Sequence, residues 1–543
     1  MLEEVPVLIV GGGPVGLTAS LLLSAHGVRS LLVERHSGTA VHPKARAVNA
    51  RSMEIYRQCG VEAAIRAAGL APEHTGLVVW TRTLAGAELE RRVPWRSAPQ
   101  SAAVSPVRNC LCAQDVLEPV LRAAAERQAP GALRFGSEVT ACSQDDGGVT
   151  ATLIERASGA SSRVRAEYAI AADGAQSPMR RWLGVAMHGH EQVYDSVNIL
   201  LRADLRPFTA HRPAALYFVE QPRLKATFLT INAVDRWGFL VNDLSAFGPA
   251  AADVTPQRAA ELVRMAVGIA DLDVEILGML PWTASARVAE HYACGRIFLA
   301  GDAAHEMPPT GGFGLNTGVQ DVHNLAWKLA FVLTHQAGAA LLSSYHEERQ
   351  PVGRAVTSQS LENCLSMGRG SGREPFRAHA RPEYLNEQGL IFGASYASTA
   401  VLPDGTPPPT LANAVTDYVA SARPGARAPH VWLRRAGAPL STIDLFGRGF
   451  VLLAGPRGGA WLRAAEGRAG AFGPRFAALC VGSDADPDGV WPGAYGVDEE
   501  GAVLVRPDGH VGWRCRAGVA DPAAALAAAV RRLLHNPSGS AAA

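Results

Sequence analysis

The chain has 543 residues, of which 48% are hydrophobic and 19% charged, and its formal net charge is +1. This composition is typical of globular proteins with ample core, and the length predicts about three or four domains. The balanced charge excludes the basic footprint of a nucleic-acid or anionic-membrane binder. The sequence has no apolar run of about 18 residues or more, so we expect no transmembrane helix. The acidic start, MLEEVPVLIV, differs from a signal peptide, and a cytoplasmic protein is the default expectation.

Eight cysteines are scattered along the chain, and the only close pair is Cys110 and Cys112. No second Cys/His pair follows at metal-ligand spacing. We therefore expect free, mostly buried thiols, with no metal site and no disulfide framework.

The first motif follows an apolar strand, Val5 to Val10, and reads Gly11-Gly12-Gly13-Pro14-Val15-Gly16. A helix to His26 and a second strand ending at Glu34 complete a βαβ unit. The pattern G-x-G-x-x-G predicts a tight turn at Gly11, close approach of a pyrophosphate at Gly13, and helix–strand packing at Gly16. Glu34 then stands where a ribose diol needs an acceptor, so the unit predicts a dinucleotide site.

Two later residues are candidate neighbours of that site. Arg46 precedes a helix just downstream of the ribose position, and Gln114 begins the helix that runs to about Gln128. Arg46 is either a solvated charge or a flavin or phosphate contact, and its position does not decide between them. Gln114 is a candidate partner for a ribityl or ribose group.

An antiparallel β-meander is predicted between Leu133 and Ile170, and its last strand ends in Asp173-Gly174. The carboxyl end of a strand is where α/β folds bind ligands, so Asp173 joins the candidate site. Residues 187–285 are β-rich apart from a helix capped by Thr255. We interpret them as an inserted sheet that forms one wall of a cavity.

The opposite wall is the stretch GDAAHEMPPTGGFGLN, residues 301–316, which follows a buried strand end. It places Asp302 first, then a Pro-Pro pair, then loop glycines, and a long helix follows from about Thr317 to Leu333. Loop glycines before a helix N-terminus leave unpaired N–H groups and the positive dipole end facing one spot, which suits an electron-rich group. His305 is a tempting base, although a structural role is the simpler interpretation.

Residues 366–410 are rich in Gly, Pro and Arg and are interpreted as a linker. A separate αβ unit is expected over residues 411–535, with a β-hairpin at Asp508-Gly509, and residues 536–543 are expected to be a disordered tail. The cofactor domain would then comprise residues 1–186 and 286–365, and the substrate domain residues 187–285.

Together, GGGPVG with Glu34, Asp173-Gly174 and GDAAHEMPPTGGFGLN resemble the class A FAD-dependent aromatic monooxygenases, which have the p-hydroxybenzoate hydroxylase fold. The resemblance covers about residues 5–365. The C-terminal unit resembles the thioredoxin-like domain of the phenol and polyketide hydroxylase branch, through segments at Gly425–His430, Asp444–Phe450 and Arg506–Gly509. The implied fold class is α/β: an FAD-binding Rossmann-like domain of the GR2 type, an inserted β-sheet substrate domain and a C-terminal thioredoxin-like αβ domain without a CxxC motif.

The resemblance implies a role for each matched residue. Cofactor contacts are expected from the pyrophosphate group Gly11, Gly13, Pro14 and Val15; Glu34 at the adenosine ribose; Arg35, as a further cofactor contact; the flavin-side residues Arg46 and Gln114; the motif acids Asp173 and Asp302; and the isoalloxazine group Pro309, Gly311, Gly314, Leu315 and Asn316. On the inserted sheet, the substrate candidates are Tyr217, Phe218, Thr230 and Asn232.

The implied reaction is hydroxylation of a polycyclic aromatic polyketide in antibiotic-type biosynthesis, with non-covalent FAD and NAD(P)H as a transient co-substrate. Reduced FAD would react with O₂ to give a C4a-hydroperoxide, whose distal oxygen the substrate ring attacks. The catalytic base is not assigned, and a monomer or homodimer is expected. Alternatives are Baeyer–Villiger or flavin oxidase tailoring, a simple phenol hydroxylase, and a non-catalytic flavin-binding protein.

Overall fold

The computed structural model describes residues 2–222, 224–241, 254–367, 381, 383–466 and 476–535. The expected tail, 536–543, and the Gly/Arg-rich part of the expected linker, 368–380, lie outside the described residues.

The first third of the chain contains both strands and helices. Its strands are β1 (Leu2–Val10), β2 (Ser30–Glu34), β3 (Ala47–Val48), β4 (Val78–Thr81), β5 (Glu88–Arg92), β6 (Cys110–Leu111), β7 (Leu133–Phe135), β8 (Ser137–Asp145), β9 (Gly148–Glu155) and β10 (Ser161–Ala171). Its helices are α1 (Pro14–Ala25), α2 (Ala50–Gln58), α3 (Glu62–Ala68), α4 (Gln114–Gln128) and α5 (Pro178–Trp182).

The middle of the chain is mainly β-structure and then helical. Its strands are β11 (Met187–Arg202), β12 (Leu216–Glu220), β13 (Lys225–Thr230), β14 (Arg236–Val241), β15 (Glu275–Ala289), β16 (Ala293–Cys294), β17 (Ile297–Leu299) and β18 (His305–Glu306). Its helices are α6 (Arg206–Thr209), α7 (Pro256–Val267), α8 (Gly314–Leu333), α9 (Ser343–Ser366) and α10 (Gln388–Phe392).

The C-terminal unit contains both kinds of element. They are β19 (Trp432–Arg435), β20 (Ala438–Ser441), β21 (Phe450–Ala454), α11 (Gly459–Glu466), β22 (Phe476–Cys480), α12 (Trp491–Tyr495), β23 (Ala502–Val505), β24 (Val511–Cys515) and α13 (Pro522–Leu533).

The first large sheet has the strand order β16-β17-β10-β1-β2-β7, and the meander strands β8 and β9 attach to β10. Strands β17, β10, β1, β2 and β7 run parallel. Val7, Leu8 and Ile9 of β1 are fully buried, as the continuous apolar run predicts for a strand covered on both faces. The parallel arrangement brings the carboxyl ends of these strands to one edge of the sheet.

The second large sheet has the order β18-β15-β11-β14-β13-β12-β4-β5. Residues 75–107 fall within the predicted cofactor domain, whereas the structure adds β4 and β5 to this sheet, next to β12. The β4–β12 pair is parallel and separated by more than 130 residues, so strand periodicity alone cannot reveal it. Helix α7 packs its apolar stripe on one face of the sheet.

The segment expected to be a linker is packed where the structure describes it. Met367, Tyr384 and Leu385 are buried against Trp80 and Phe218 of the second sheet. This segment therefore helps to hold the second sheet against the rest of the protein.

The C-terminal unit contains a mixed sheet of order β22-β21-β23-β24, in which β21 and β22 are parallel and the other pairs antiparallel. Helices α11 and α13 cover one face, and α12 packs on the other. The expected hairpin joins β23 to β24, with Gly509 at φ 76°. The αβ unit predicted for this region is thus present.

Buried ion pairs fix this unit to the helices of the cofactor region. Arg506 Nη1 donates to Glu348 Oε1 of α9 over 2.6 Å, and Lys328 Nζ of α8 donates to Glu348 Oε2 over 2.8 Å. Arg427 binds Glu54 of α2. All five side chains are buried, so removing one partner would leave a charge without compensation.

Candidate cofactor and substrate site

Four strand ends converge at the carboxyl edge of the first sheet, which we call the cofactor edge. It consists of the turn after β1 (Gly11 to Gly13), Glu34 at the end of β2, Asp173 after β10, and Asp302 after β17. The three motifs identified in the sequence therefore meet in space. Ligands of open α/β sheets bind at this edge.

Gly11 shows why the first motif needs glycine. Its φ is 109°, and a Cβ there would lie 2.2 Å from the carbonyl oxygen of Ala172, in the strand that leads to Asp173. A side chain would separate the β1 and β10 ends. Pro14 and Val15 then begin α1, whose first N–H groups have no partner within the helix.

Glu34 shapes the turn as well as presenting a carboxylate. Its Oε2 accepts a hydrogen bond from Gly12 N over 2.6 Å, and its Oε1 accepts one from His36 N over 2.8 Å. Arg35 beside it is exposed. A carboxylate can accept further hydrogen bonds, so the site retains capacity for a ribose diol.

Of the two carboxylate oxygens of Asp173, one accepts a hydrogen bond and the other has no partner among the described residues. Its Oδ2 accepts a hydrogen bond from Met179 N over 3.1 Å, whereas its buried Oδ1 has no partner among the described residues. Desolvation raises the pKa of this carboxyl. A ligand donor at Oδ1 would satisfy a group that is rarely left unpaired in proteins.

Asp302 lies beside the start of α1. Helix α8 approaches closely here because it carries Gly318, where a Cβ would lie 2.5 Å from Val15 Cγ2 and 2.9 Å from Gly301 Cα. The Asp302 side chain is exposed in the groove, yet the surrounding protein displaces enough water to raise the pKa of its carboxyl.

The loop after Asp302 is held from both sides. Asn316 Oδ1 accepts a hydrogen bond from Asn49 N over 2.9 Å, and its Nδ2 donates to the Ala47 and Gly312 carbonyls. On the other side, Ser360 Oγ donates to the Pro308 carbonyl over 2.6 Å. These bonds fix the backbone around the isoalloxazine candidates, which are Pro309, Gly311, Gly314, Leu315 and Asn316.

Helix α8 begins at Gly314, three residues earlier than expected, so Leu315 and Asn316 lie in its first turn. Their N–H groups have no partner within the helix and form its positive end. This end can stabilise negative charge on a bound group.

The structure brings Arg46 and Gln114 together. Strands β3 and β6 pair, Gln114 N donates to the Ala45 carbonyl over 2.7 Å, and Cys112 N donates to the Arg46 carbonyl over 2.8 Å. The Arg46 guanidinium reaches the second sheet, where it donates to the Ala215 and Thr230 carbonyls. It therefore joins the cofactor region to the substrate sheet.

His305 lies behind the loop in a fully buried network. Its Nε2 is 2.8 Å from Asp321 Oδ2, and Arg349 Nε donates to Asp321 Oδ1 over 2.9 Å. Asp321 Oδ2 also accepts a hydrogen bond from Gly301 N. Sequence reasoning missed Asp321 and Arg349, although an acid on the apolar α8 and an arginine on α9 were the available signals.

The four substrate candidates do not share one surface. Tyr217 is in the core beneath α7, where its hydroxyl donates to the Arg212 carbonyl over 2.9 Å. Thr230 donates to the Ala214 carbonyl, and Asn232 accepts three backbone N–H groups in an exposed turn. Phe218 points to the opposite face, where it stacks on Trp80.

That opposite face, which we call the cofactor-facing face, is defined by strand register. Two rows of side chains cross it: Leu280, Asn198, Leu240, Thr227, Phe218 and Trp80 in one, and Gly278, Leu200, Gly238, Leu229, Leu216 and Val78 in the other. The face is almost wholly apolar. Several leucines near its centre are only half-buried, so this part of the face is accessible to a ligand: Leu216, Leu229, Leu240 and Leu280.

The residues present at the cofactor edge fit FAD. The unpaired oxygen of Asp173 and the free N–H groups of α1 and α8 supply acceptors and donors along one groove. A Cβ on Gly13 would meet no atom closer than Glu118 Oε1 at 4.0 Å, so backbone there is open to a pyrophosphate. The groove thus has complementary groups for both halves of the dinucleotide.

Comparison with known proteins agrees with this geometry. Residues 4–360 match the family described as "FAD binding domain", and residues 421–537 match "Aromatic-ring hydroxylase, C-terminal". The chain therefore belongs to the FAD-binding-domain family, in the group that carries the aromatic-ring hydroxylase C-terminal domain. It is an FAD-dependent aromatic-ring hydroxylase.

Among similar proteins, tetracenomycin A2 monooxygenase-dioxygenase of Streptomyces glaucescens is 39% identical, over 99% of this chain and 98% of the relative. The 4-methyl-5-nitrocatechol 5-monooxygenase of a Burkholderia species is 41% identical, over 98% of both chains. A solved structure of aklavinone-11 hydroxylase with FAD and aklavinone is 35% identical, with a TM-score of 0.89 over 98% of this chain and 99% of that one.

In the described residues, no helix is long and apolar enough to cross a membrane, and no His/Cys/Asp/Glu group could hold a metal ion. The eight cysteines are all free; four of them are buried and the other four are partly exposed, whereas mostly buried thiols were expected.

Proposed function

We propose that this enzyme uses NAD(P)H and O₂ to hydroxylate a polycyclic aromatic polyketide in antibiotic-type biosynthesis. The observation that carries the proposal is the cofactor-facing face, which extends over several strands with half-buried leucines at its centre. Such a broad apolar wall suits a flat, multi-ring substrate, since apolar pockets with few polar groups are the usual form of ligand sites. Hydroxylases named for tetracenomycin and aklavinone are among the similar proteins, which supports this substrate class.

The residues of the cofactor edge and the N-terminus of α8 would have different roles toward FAD. Gly11, Gly13, Glu34, Asp173 and Asp302 would hold FAD along the cofactor edge. Bound FAD supplies the chemistry that activates O₂. The α8 N-terminus would offer N–H donors to negative charge on the flavin ring.

The apolar face orients the substrate ring and excludes water from it. Exclusion of water protects reactive groups from wasteful hydrolysis and strengthens electrostatic interactions in the site. NAD(P)H is proposed to bind transiently, without a domain of its own. We also propose that the protein is cytoplasmic and is a monomer or a homodimer.

A simple phenol or catechol is a second candidate substrate. The Burkholderia relative, named for a nitrocatechol, is 41% identical, slightly more than the tetracenomycin relative at 39%. Overall identity therefore favours neither substrate size, and the breadth of the cofactor-facing face is the observation that favours the larger substrate.

A paired substrate screen tests the proposal. Purified holoenzyme is supplied with NADH or NADPH and, separately, with tetracyclic phenols, tricyclic phenols, phenol and catechols; products are analysed by mass spectrometry and NMR. We expect multi-ring phenols to gain one oxygen as a ring hydroxyl, with a higher kcat/KM than phenol or catechols.

Other outcomes identify the alternatives. Preference for single-ring phenols would favour the simple phenol hydroxylase, and insertion of oxygen into a ring C–C bond would identify a Baeyer–Villiger enzyme. Aromatic-dependent consumption of NAD(P)H without oxygenated product would indicate an oxidase.

A further inference from the structure

The loop that contains His42 crosses the cofactor-facing face and is tied at both ends. Ala40 N donates to Glu118 Oε2 over 2.6 Å, and Arg46 binds the Ala215 and Thr230 carbonyls. A Cβ on Gly278 would lie 3.7 Å from His42 Cδ2. The imidazole therefore rests on the sheet at the position where β15 has no side chain.

Buried polar atoms without side-chain hydrogen-bond partners lie where the His42 ring contacts the second sheet. Apart from the main-chain carbonyl of Asn198, which lies beside the ring, the two buried ring nitrogens of His42 have no hydrogen-bond partner in the part of the chain that the structure describes. The same is true of Asn198 Oδ1, and Asn198 is only 8% exposed. Buried polar atoms are normally paired, so two groups with unpaired atoms on a largely apolar sheet face indicate a polar ligand.

The two groups come from different parts of the fold and lie on the same face of the second sheet. Asn198 is on β11, directly opposite Leu280, two residues along β15 from Gly278. The His42 ring lies beside the main-chain carbonyl of Asn198. A group that binds between them would contact both the cofactor region and the substrate sheet.

We propose that His42 and Asn198 form the polar subsite that binds the hydroxyls of the aromatic substrate, with His42 accepting a phenolic proton. This inference rests on the proposed function. The phenol O–H bond breaks, an N–H bond forms on the imidazole, and the electron pair stays on the phenolic oxygen, which makes the ring a better nucleophile. Asn198 Oδ1 accepts a hydrogen bond from a second ring hydroxyl.

The proposed reaction accounts for both oxygen atoms, the electrons and the proton. One atom of O₂ enters the ring and the other leaves as water, with NAD(P)H as the electron donor. The proton held by His42 returns to the product oxygen or to solvent after hydroxylation.

The charges around His42 agree with a base that is neutral near pH 7. Burial lowers the pKa of its imidazole, and Lys44 of the same loop and Arg236 of β14 act in the same direction. The Asn198 carbonyl and the Asp115 carboxylate of α4 oppose this shift without reversing it. The neutral imidazole has a free lone pair, as a general base requires.

The test uses emodin, a three-ring phenol, with wild-type holoenzyme, His42→Gln and a control, His211→Gln, which changes an exposed histidine of the same substrate region. At pH 7 we expect His42→Gln to lower kcat about 100-fold, the lower range for loss of a general base. FAD content should be unchanged. The His211→Gln variant should match the wild type.

The pH profile separates a base from a structural residue. Wild-type kcat should fall as pH falls through the lowered pKa of His42, because protonation removes the base. His42→Gln should lack this limb, and its deficit should shrink at high pH as the free phenol ionises unaided. Asn198→Ala should raise KM for emodin about tenfold, the cost of roughly one hydrogen bond, with little change in kcat.

The possible failures are distinguishable. If wild-type enzyme neither binds nor hydroxylates emodin, the proposed substrate class fails and the subsite fails with it. If wild-type enzyme hydroxylates emodin and His42→Gln has the same kcat at every pH, only the subsite is overturned. Loss of FAD from His42→Gln, together with an unchanged KM in Asn198→Ala, would also overturn it.

Discussion

The cofactor edge and the cofactor-facing face are built on opposite principles. The edge collects backbone turns and acids from the ends of parallel strands, whereas the face uses side chains from the middle of antiparallel strands. The first is polar and the second almost wholly apolar. We therefore expect cofactor binding and substrate choice to be separable, so that substitutions in one region leave the function of the other region intact.

The largest expected effect is at the edge. Glu34→Lys removes the acceptor of the Gly12 N–H and places a cation at the ribose position. Loss of a hydrogen bond to a charged group costs up to about 3 kcal/mol, so FAD affinity should fall about 100-fold. Flavin absorbance of the purified protein and titration with FAD measure this loss.

The matched control is Glu167→Lys, an exposed acid on β10 of the same sheet. It should purify with normal flavin content. Full FAD occupancy in Glu34→Lys would remove the ribose role from this residue and weaken the contrast.

The next effect separates the two faces of the second sheet. Phe228 is fully buried on the α7 side, in contact with Phe239. Phe228→Ala should lower the free energy of unfolding by about 3–5 kcal/mol through loss of burial and creation of a cavity. Denaturant titration measures this change, and KM for the aromatic substrate should stay within about twofold of the wild type if the variant remains folded. A large rise in KM would show that the α7 side also shapes the pocket.

A charge on the cofactor-facing face should act on the substrate instead. Leu240 is half-buried near the centre of this face, opposite Asn198. Leu240→Asp places a carboxylate against an apolar ring, which should raise KM by about 10- to 100-fold, with FAD content unchanged. Steady-state kinetics and flavin absorbance on one preparation test both parts.

Leu277→Asp on β15 is the control, since Leu277 is 37% exposed. Its KM should match that of the wild type. An unchanged KM in Leu240→Asp would mean that the substrate binds elsewhere.

The smallest effect concerns Tyr217, a candidate from the sequence. Its hydroxyl donates to the Arg212 carbonyl and accepts a hydrogen bond from Ala214 N. Tyr217→Phe should lower the free energy of unfolding by about 1–2 kcal/mol, with KM unchanged. Thermal denaturation measures the change in the free energy of unfolding, and steady-state kinetics measure KM. A selective rise in KM would restore Tyr217 as a substrate contact.

The cofactor edge was accessible to sequence reasoning because each of its parts is a contiguous motif. The strand, turn and acid that surround Gly11 and Glu34 carry their own geometry, and parallel strands bring their ends together. The helix after Asn316 was predicted within three residues of its start.

The cofactor-facing face was not accessible in the same way. A shift of one residue in register turns every side chain of a strand to the other face, and β4 joins the sheet from a distant part of the chain. Tyr217 and Thr230 were therefore placed on the sheet without knowledge of the face they occupy. Only the pairing of the strands shows that the half-buried leucines and the unpaired Asn198 oxygen lie on the same face of the sheet.

Isotope labelling tests directly whether the enzyme transfers an oxygen atom from O₂ to the ring of a multi-ring phenol. Holoenzyme, NAD(P)H and a multi-ring phenol are incubated under ¹⁸O₂ in ordinary water, and the product is analysed by mass spectrometry. We expect the new ring hydroxyl to contain one ¹⁸O atom. A product whose added oxygen comes from water, or NAD(P)H oxidation with every multi-ring phenol and no oxygen incorporated, would contradict it.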